Sequence, residues 1–338
     1  MRTSNRDVFP AEATLSIHEP ISGLLETPEL DQEFLRRDAI AMKAKRRFHT
    51  FGQSAIVLIA VSAIYTIAET LLFSDWAYRN ITSLIAVLMA GIGIGFQAYI
   101  MLTDQKPKWL LNRYAVERLR SLKFQAFALA QEAKDSAALR AAANDHARRG
   151  LALLQNELNA GIAVVRTFSP ARAMIVHPKT RKPVNPEITA EARAAYGDLR
   201  VDYQKRFAQS ELESFSSRRR LLSSSQDIIY LCAATFAFLA LGAKLASHFG
   251  MDFQTAWIDF MAVCFFILGA TEAIMDNATL EEQSRTRYEQ YVRDIEALAA
   301  KAESKTVPLS QIVADMERLS LEELDKFCRA ATRISYRF

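Results

Sequence analysis

The chain has 338 residues, half of them apolar and 24% charged, with 11 glycines and a formal charge of +4. In bulk it matches one or two globular domains, and so small a net charge makes no case for a nucleic-acid partner. Cys232, Cys264 and Cys328 lack metal-ligand spacing, which excludes a zinc module or disulfide framework; they read as packing residues, and no cofactor is implied.

The first 47 residues are polar and punctuated by Pro10, Pro20 and Pro28, so no cleavable signal peptide is expected there. Between Arg47 and Glu69 no residue carries a formal charge. Between Arg79 and Asp104 run 24 uncharged residues, "NITSLIAVLMAGIGIGFQAYIMLT", enough to cross about 30 Å of hydrocarbon at about 1.5 Å per residue. Two shorter runs follow, "IIYLCAATFAFLALGA" at 228–243 and "FMAVCFFILGAT" at 260–271. Snorkelling of Lys244 and of the acids at their ends lengthens both to a span. By length alone, core helices of a soluble domain are the alternative for these two.

Basic residues collect on one side of every span: Lys43, Lys45, Arg46 and Arg47, then Lys106, Lys108, Arg113, Arg118 and Arg120, then Arg218, Arg219 and Arg220, then Arg285, Arg287 and Arg293. The positive-inside rule places both termini in the cytoplasm of a multi-pass inner-membrane protein, with Trp76, Tyr78 and Trp257 at the outer interface. The expected division is a cytoplasmic segment 1–44, a hairpin 45–104, a cytoplasmic helical domain 105–226, a second hairpin 227–276 and cytoplasmic helices 277–338.

In the domain 105–226, Ala115, Leu119, Leu122, Ala126, Leu129 and Ala133 make a 4-3-4-3-4 seam. Ala192, Tyr196, Leu199 and Tyr203 keep the same rhythm. Helices over about 109–166 and 188–220 are therefore expected to pack as an antiparallel pair. Between them the proline-rich loop 168–188 carries Arg172, Lys179, Arg181 and Lys182, either a solvated loop or a site for a nucleotide or the acidic face of a cytoplasmic signalling partner. No glycine-rich phosphate loop is present. Near the C-terminus, Ser320 and Glu323 have capping-box spacing, which predicts a short helix starting there.

An ungapped offset of 174 places Gly95 on Gly269 and the pair Arg113–Tyr114 on Arg287–Tyr288. The expected architecture is an all-α membrane protein. Its four transmembrane helices form two pseudo-repeated hairpins, and its long cytoplasmic helices pack as a coiled-coil-like antiparallel bundle. Gln97, Thr271 and Glu272 then share a depth and are candidates for a polar ring at the inner end of the bundle. Glu69, Lys244 and Asp259 are candidates for an outer vestibule, with Lys244 and Asp259 able to pair. The alternative is that Glu272 lies at the headgroups, solvated or paired with Arg219 or Arg220. Gly91 and Gly95 form a G-x-x-x-G face that permits close helix approach, and because four spans rarely enclose a wide pore, a conducting form requires a homo-oligomer.

The stretch "KPKWLLNRYAVERLRSLKFQAFAL" resembles the W-x3-R-x3-E-x-L-K/R-S-x2-W/F pattern of the SLATT and DUF4231 families of prokaryotic two-span membrane proteins. Trp109, Arg113, Glu117, Leu119, Arg120, Ser121 and Phe124 carry the resemblance. It covers 45–127, with an echo at 218–300 in which Gln283 and Tyr291 replace the Trp and Glu positions and only Arg287 carries over. The resemblance implies a pore-forming effector of a bacterial conflict system, or a constitutive relative without an immune role. The same residues also have an ordinary structural reading, Trp109 as an interface anchor and Arg113 with Glu117 as a helix pair.

Two functions compete: a channel or pore gated through the cytoplasmic helices, and a non-conducting membrane scaffold or sensor that recruits a partner. An intramembrane enzyme is not expected, since the spans hold no paired aspartates, Ser–His arrangement or HExxH, and His49, His146, His177 and His248 are scattered.

Overall fold

The computed structural model describes residues 5–10, 17–72, 79–176, 182–248, 255–279, 281–304, 306–334 and 336. Trp76, Tyr78, His177, Lys179 and Arg181 lie outside the described residues, as do the side chains of Arg218, Arg219, Arg220 and Asp276. Every regular element among the described residues is helical. The main ones are α1 (Pro28–Leu72), α2 (Arg79–Leu102), α3 (Gln105–Gln125), α4 (Ser136–Asn159), α5 (Pro186–Tyr196), α6 (Tyr203–His248), α7 (Ala256–Thr279), α8 (Glu281–Glu303) and α9 (Leu309–Arg333). They divide between two compact units. One comprises 1–44, 107–213 and 282–333; the other comprises 45–106, 214–281 and 334–338.

The second unit holds the apolar stretches of four helices long and apolar enough to cross a membrane, and these fit a multi-pass membrane protein. Their hydropathic windows are 28%, 11%, 6% and 11% buried within the chain, so most of their apolar surface faces outward. That is the arrangement lipid rewards and water penalises. The two hairpins are held internally by small areas of close packing. In the first, the Phe51 ring meets Phe96 and Tyr99 at 5.0 and 4.8 Å, and Ser62 Oγ donates to the Ala86 carbonyl at 2.7 Å. In the second, Phe236 stacks on Phe265 at 5.6 Å, and Gly269 lets Tyr230 approach.

The glycine that brings α1 and α2 together is Gly93. A Cβ there would lie 2.8 Å from Ile59 Cγ1 and 3.1 Å from the Ala55 carbonyl oxygen, whereas at Gly91 and Gly95 it would meet open space. The G-x-x-x-G pair therefore faces away from its own hairpin. Gly93→Leu is expected to destabilise the hairpin by about 1–3 kcal/mol through overpacking, and Gly91→Leu to be nearly neutral. Thermal unfolding in detergent checks the contrast.

The helical seam expected over 109–166 is interrupted. Ala115, Leu119, Leu122, Ala126 and Ala133 are buried, but the α-helix ends at Gln125 and residues Ala126–Gln131 tighten into a 3-10 turn. Asp135 then caps a new helix, accepting from the Ala138 amide at 2.7 Å, so "KDSA" is a start signal inside what reads as continuous periodicity. α4 returns antiparallel to α3: Tyr114 lies opposite Glu157, and Leu122 packs where a Cβ on Gly150 would stand. Gly161, at φ +59°, ends the return helix with a left-handed residue. The proline-rich loop 168–188 is also partly helical, at Pro170–Ala173 and again where Asn185 caps α5.

The helix placed at Ser320 is likewise corrected. α9 runs unbroken from Leu309 to Arg333, and Ser320 lies in its interior with its hydroxyl 3.2 Å from Tyr291. Since α9 has already made its backbone hydrogen bonds there, the Ser–Glu spacing has nothing to cap.

Candidate functional site

Most residues of the family-like motif are buried in the first unit, with Arg113 and Glu117 at its edge. Trp109 is buried against the Phe327 ring at 6.1 Å, so it is a core residue of this unit and not an interface anchor. Arg113 reaches Glu117 at 2.5 Å, and Arg120 reaches the same carboxylate at 2.8 Å. Burial works to raise the Glu117 carboxyl, but Arg113, Arg120 and Arg200 overcome it and hold it at about 2. Ser121 accepts from Gln125 Nε2 at 3.0 Å, and Phe124 stacks on Phe127 beneath the Arg200 guanidinium, 4.7 Å from its centroid.

This charged layer is completed by residues far away in sequence. Asp7, its side chain fully enclosed, lies 3.1 Å from Arg120 Nε and 3.8 Å from Arg200 Nη1. Arg200 grips Glu317 with both arms, at 2.7 and 2.9 Å, and Tyr196 donates to the same carboxylate at 3.1 Å. Around these, Arg118 binds Glu157 and the Ala173 carbonyl, and Lys123 binds Asp31 and the Val8 carbonyl. Arg118, Arg120 and Lys123 are thus buried and partnered, although their sequence reads as surface charge. Asp7, Glu157, Arg200 and Glu317 escape sequence reasoning altogether.

Arg200 is delivered to this layer by a π-helical turn, Gly197–Asp202, inserted between α5 and α6. Such turns re-aim one side chain at the cost of regular hydrogen bonding and concentrate at functional sites. Beside it lies a cleft of about 470 Å³ lined by Arg6, Phe9, Asp198, Leu199, Tyr203 and Arg206.

A second charged pair lies between α8 and α9: Arg287 binds Glu323 at 2.8 Å and sits over the Tyr288 and Phe327 rings. Burial pushes the Glu323 carboxyl up from 4.5 to about 7, against the pull of Arg287. The folded protein then holds a proton that the unfolded chain has released. That stabilisation is full below about pH 4.5 and is lost as pH rises through about 7. The melting temperature in detergent is expected to fall by a few degrees, at most about 2 kcal/mol, between about pH 5 and pH 8, and Glu323→Gln to flatten that slope.

In the second unit, Lys244 and Asp259 come together as expected, at 3.6 Å. Glu69 is buried within its own hairpin and accepts from Ser83 at 2.5 Å. Of the ring candidates, Gln97 Nε2 donates to the Tyr336 carbonyl at 2.6 Å, Thr271 donates back to the Ile267 carbonyl of α7 at 2.7 Å, and Glu272 is half-buried beside it. In the basic loop, Arg172 and Lys182 are exposed. No protein-family model matches this chain, and no curated protein and no solved structure matches it.

Proposed function

We propose that the chain is a channel or pore-forming effector of the inner membrane, acting as a homo-oligomer, with both termini cytoplasmic and with opening controlled by its cytoplasmic helices. The observation that carries this reading is the continuity of α1 and α6, unbroken helices of 45 and 46 residues. Each begins with residues of the charged helical unit and ends as an apolar span. In this reading a change in the cytoplasmic helices is passed along α1 and α6 to the spans.

Duplication of a hairpin unit is part of the proposal. The order long helix, span, polar helix occurs twice, with lengths 45, 24 and 21 and then 46, 24 and 23. By environment, Gly269 corresponds to Gly93 more closely than to Gly95, since both are approached by the first helix of their own hairpin. The resemblance of Trp109 to Phe124 to SLATT proteins suggests a role in a conflict system, with the basic loop of Arg172 and Lys182 receiving a nucleotide or an acidic partner.

The ion path is assigned to Gln97, Thr271 and Glu272, and the outer mouth to Lys244 and Asp259. Liposomes containing the purified protein are expected to pass cations faster than protein-free liposomes, and Gln97→Leu or Glu272→Leu to change selectivity or abolish flux. Absence of flux in every oligomeric form would favour a non-conducting scaffold, a reading supported by the self-contained first unit and its cleft.

A further inference from the structure

The first hairpin carries a receptacle, and the chain's own C-terminal segment fills it. The Tyr336 ring lies against the backbone of α1 at Gly52, so close that a Cβ on residue 52 would stand 2.3 Å from its Cδ2 and 2.6 Å from its Cγ. Phe48 flanks the ring, with centroids 5.1 Å apart, and His49 Nδ1 meets the Tyr336 hydroxyl at 2.6 Å. On the opposite helix, Gln97 donates to the Tyr336 carbonyl at 2.6 Å, and Lys106 donates to the Ile334 carbonyl at 2.5 Å. Tyr336 and Ile334 are each 5% exposed.

Each feature is specific to this occupant. Glycine at 52 leaves a hollow the depth of an aromatic ring, where any other residue would expel it. Gln97 reaches beyond its own helix for an acceptor and takes the Tyr336 carbonyl. The tail therefore ties α1 to α2 through a ring on one side and carbonyls on the other.

We infer that Ile334 and Tyr336 form an autoinhibitory strap that locks the first hairpin and occupies the Gln97 amide, so that opening requires its release. The inference rests on the channel reading and adds its gate. Release frees Gln97 to line the path and frees α1 and α2 to separate at their cytoplasmic ends. Arg333, the last residue of α9, immediately precedes Ile334 in the chain.

Cation flux into liposomes is the test, with four forms of the full chain: wild type, Tyr336→Ala, Gly52→Ala, and a Gly52→Cys/Tyr336→Cys pair in a background where Cys232, Cys264 and Cys328 are Ala. Gly52→Ala expels the ring without altering the tail and favours helix formation, so loss of folding does not explain its effect. The cysteine pair is within disulfide reach, given the closeness of Tyr336 Cγ to a Cβ at 52. Tyr336→Ala and Gly52→Ala are each expected to raise flux about tenfold or more by removing contacts made only in the closed form. The oxidised pair should be silent and should open on reduction. Flux equal in wild type and both single variants, or a reduced pair no more conductive than the oxidised one, would overturn the strap while leaving the channel standing. Flux in none of the four would overturn both.

Discussion

Replacing Glu317 by Ala is expected to cost about 3–5 kcal/mol of stability, among the largest effects of any single change in the first unit. Glu317 is 0% exposed and Arg200 2%, so neither charge has water to fall back on. The two hydrogen bonds of the Arg200 fork and the Tyr196 hydroxyl all end on the one carboxylate. Removing it leaves a guanidinium in the core that has lost its hydrogen-bonded carboxylate, with Asp7 at 3.8 Å and Glu117 as the acids still near it. The reverse does not follow for the intact pair. Burial charges it a desolvation cost that nearly offsets its attraction, so the double replacement Arg200→Met with Glu317→Leu is expected to recover most of the loss. Chemical unfolding in detergent, comparing the single and double variants, checks both statements. Recovery by the double variant would also show that the pair serves positioning of the π-turn and the cleft more than stability.

The four apolar helices were legible because a helix long and apolar enough to cross a membrane leaves a one-dimensional mark: a run of residues without charge, long enough for the hydrocarbon. The run from 80 to 103 coincides with α2 to within a residue or two, and Asp104, at φ 51°, is the kink that separates the span from α3. The pairing of Lys244 with Asp259 was legible for a similar reason, since both lie equally far from one turn. The charged core was not. In "RYAVERLRSLKF" the charges spread over more than half the circumference of α3, because helices and the N-terminal segment pack it on several sides. No polar face appears to mark it. Their partners are distant: Asp31 lies 92 residues from Lys123, Glu157 lies 39 from Arg118, and Asp7, the partner of Arg120, is near the start of the chain, beyond any local rule. Periodicity failed in the opposite sense at Gln125. The apolar seam continues through a 3-10 turn because a turn buried on both sides must also be apolar. Among Gly91, Gly93 and Gly95, which one meets a neighbour depends on the rotation of α2 against α1, which spacing alone does not determine.

The second large effect concerns the faces that α2 and α7 turn outward. Ile92 and Phe266 lie near the middle of their apolar windows and are 51% and 72% exposed within the chain. If lipid covers them, arginine at either position is expected to cost about 3 kcal/mol of insertion, and the two together about twice that. The double variant should then be lost from the membrane fraction or extracted by alkali, while leucine at both sites behaves as wild type. If instead another protein surface covered these faces in water, the unaltered chain would remain dissolved without amphiphile, and leucine would be as well tolerated as before. Arginine would then weaken assembly without changing the fraction in which the chain is found. The two environments differ in what they offer a displaced guanidinium. At a protein interface it can turn to the wet rim, whereas at the centre of a bilayer the nearest water lies about 15 Å away, farther than its side chain reaches.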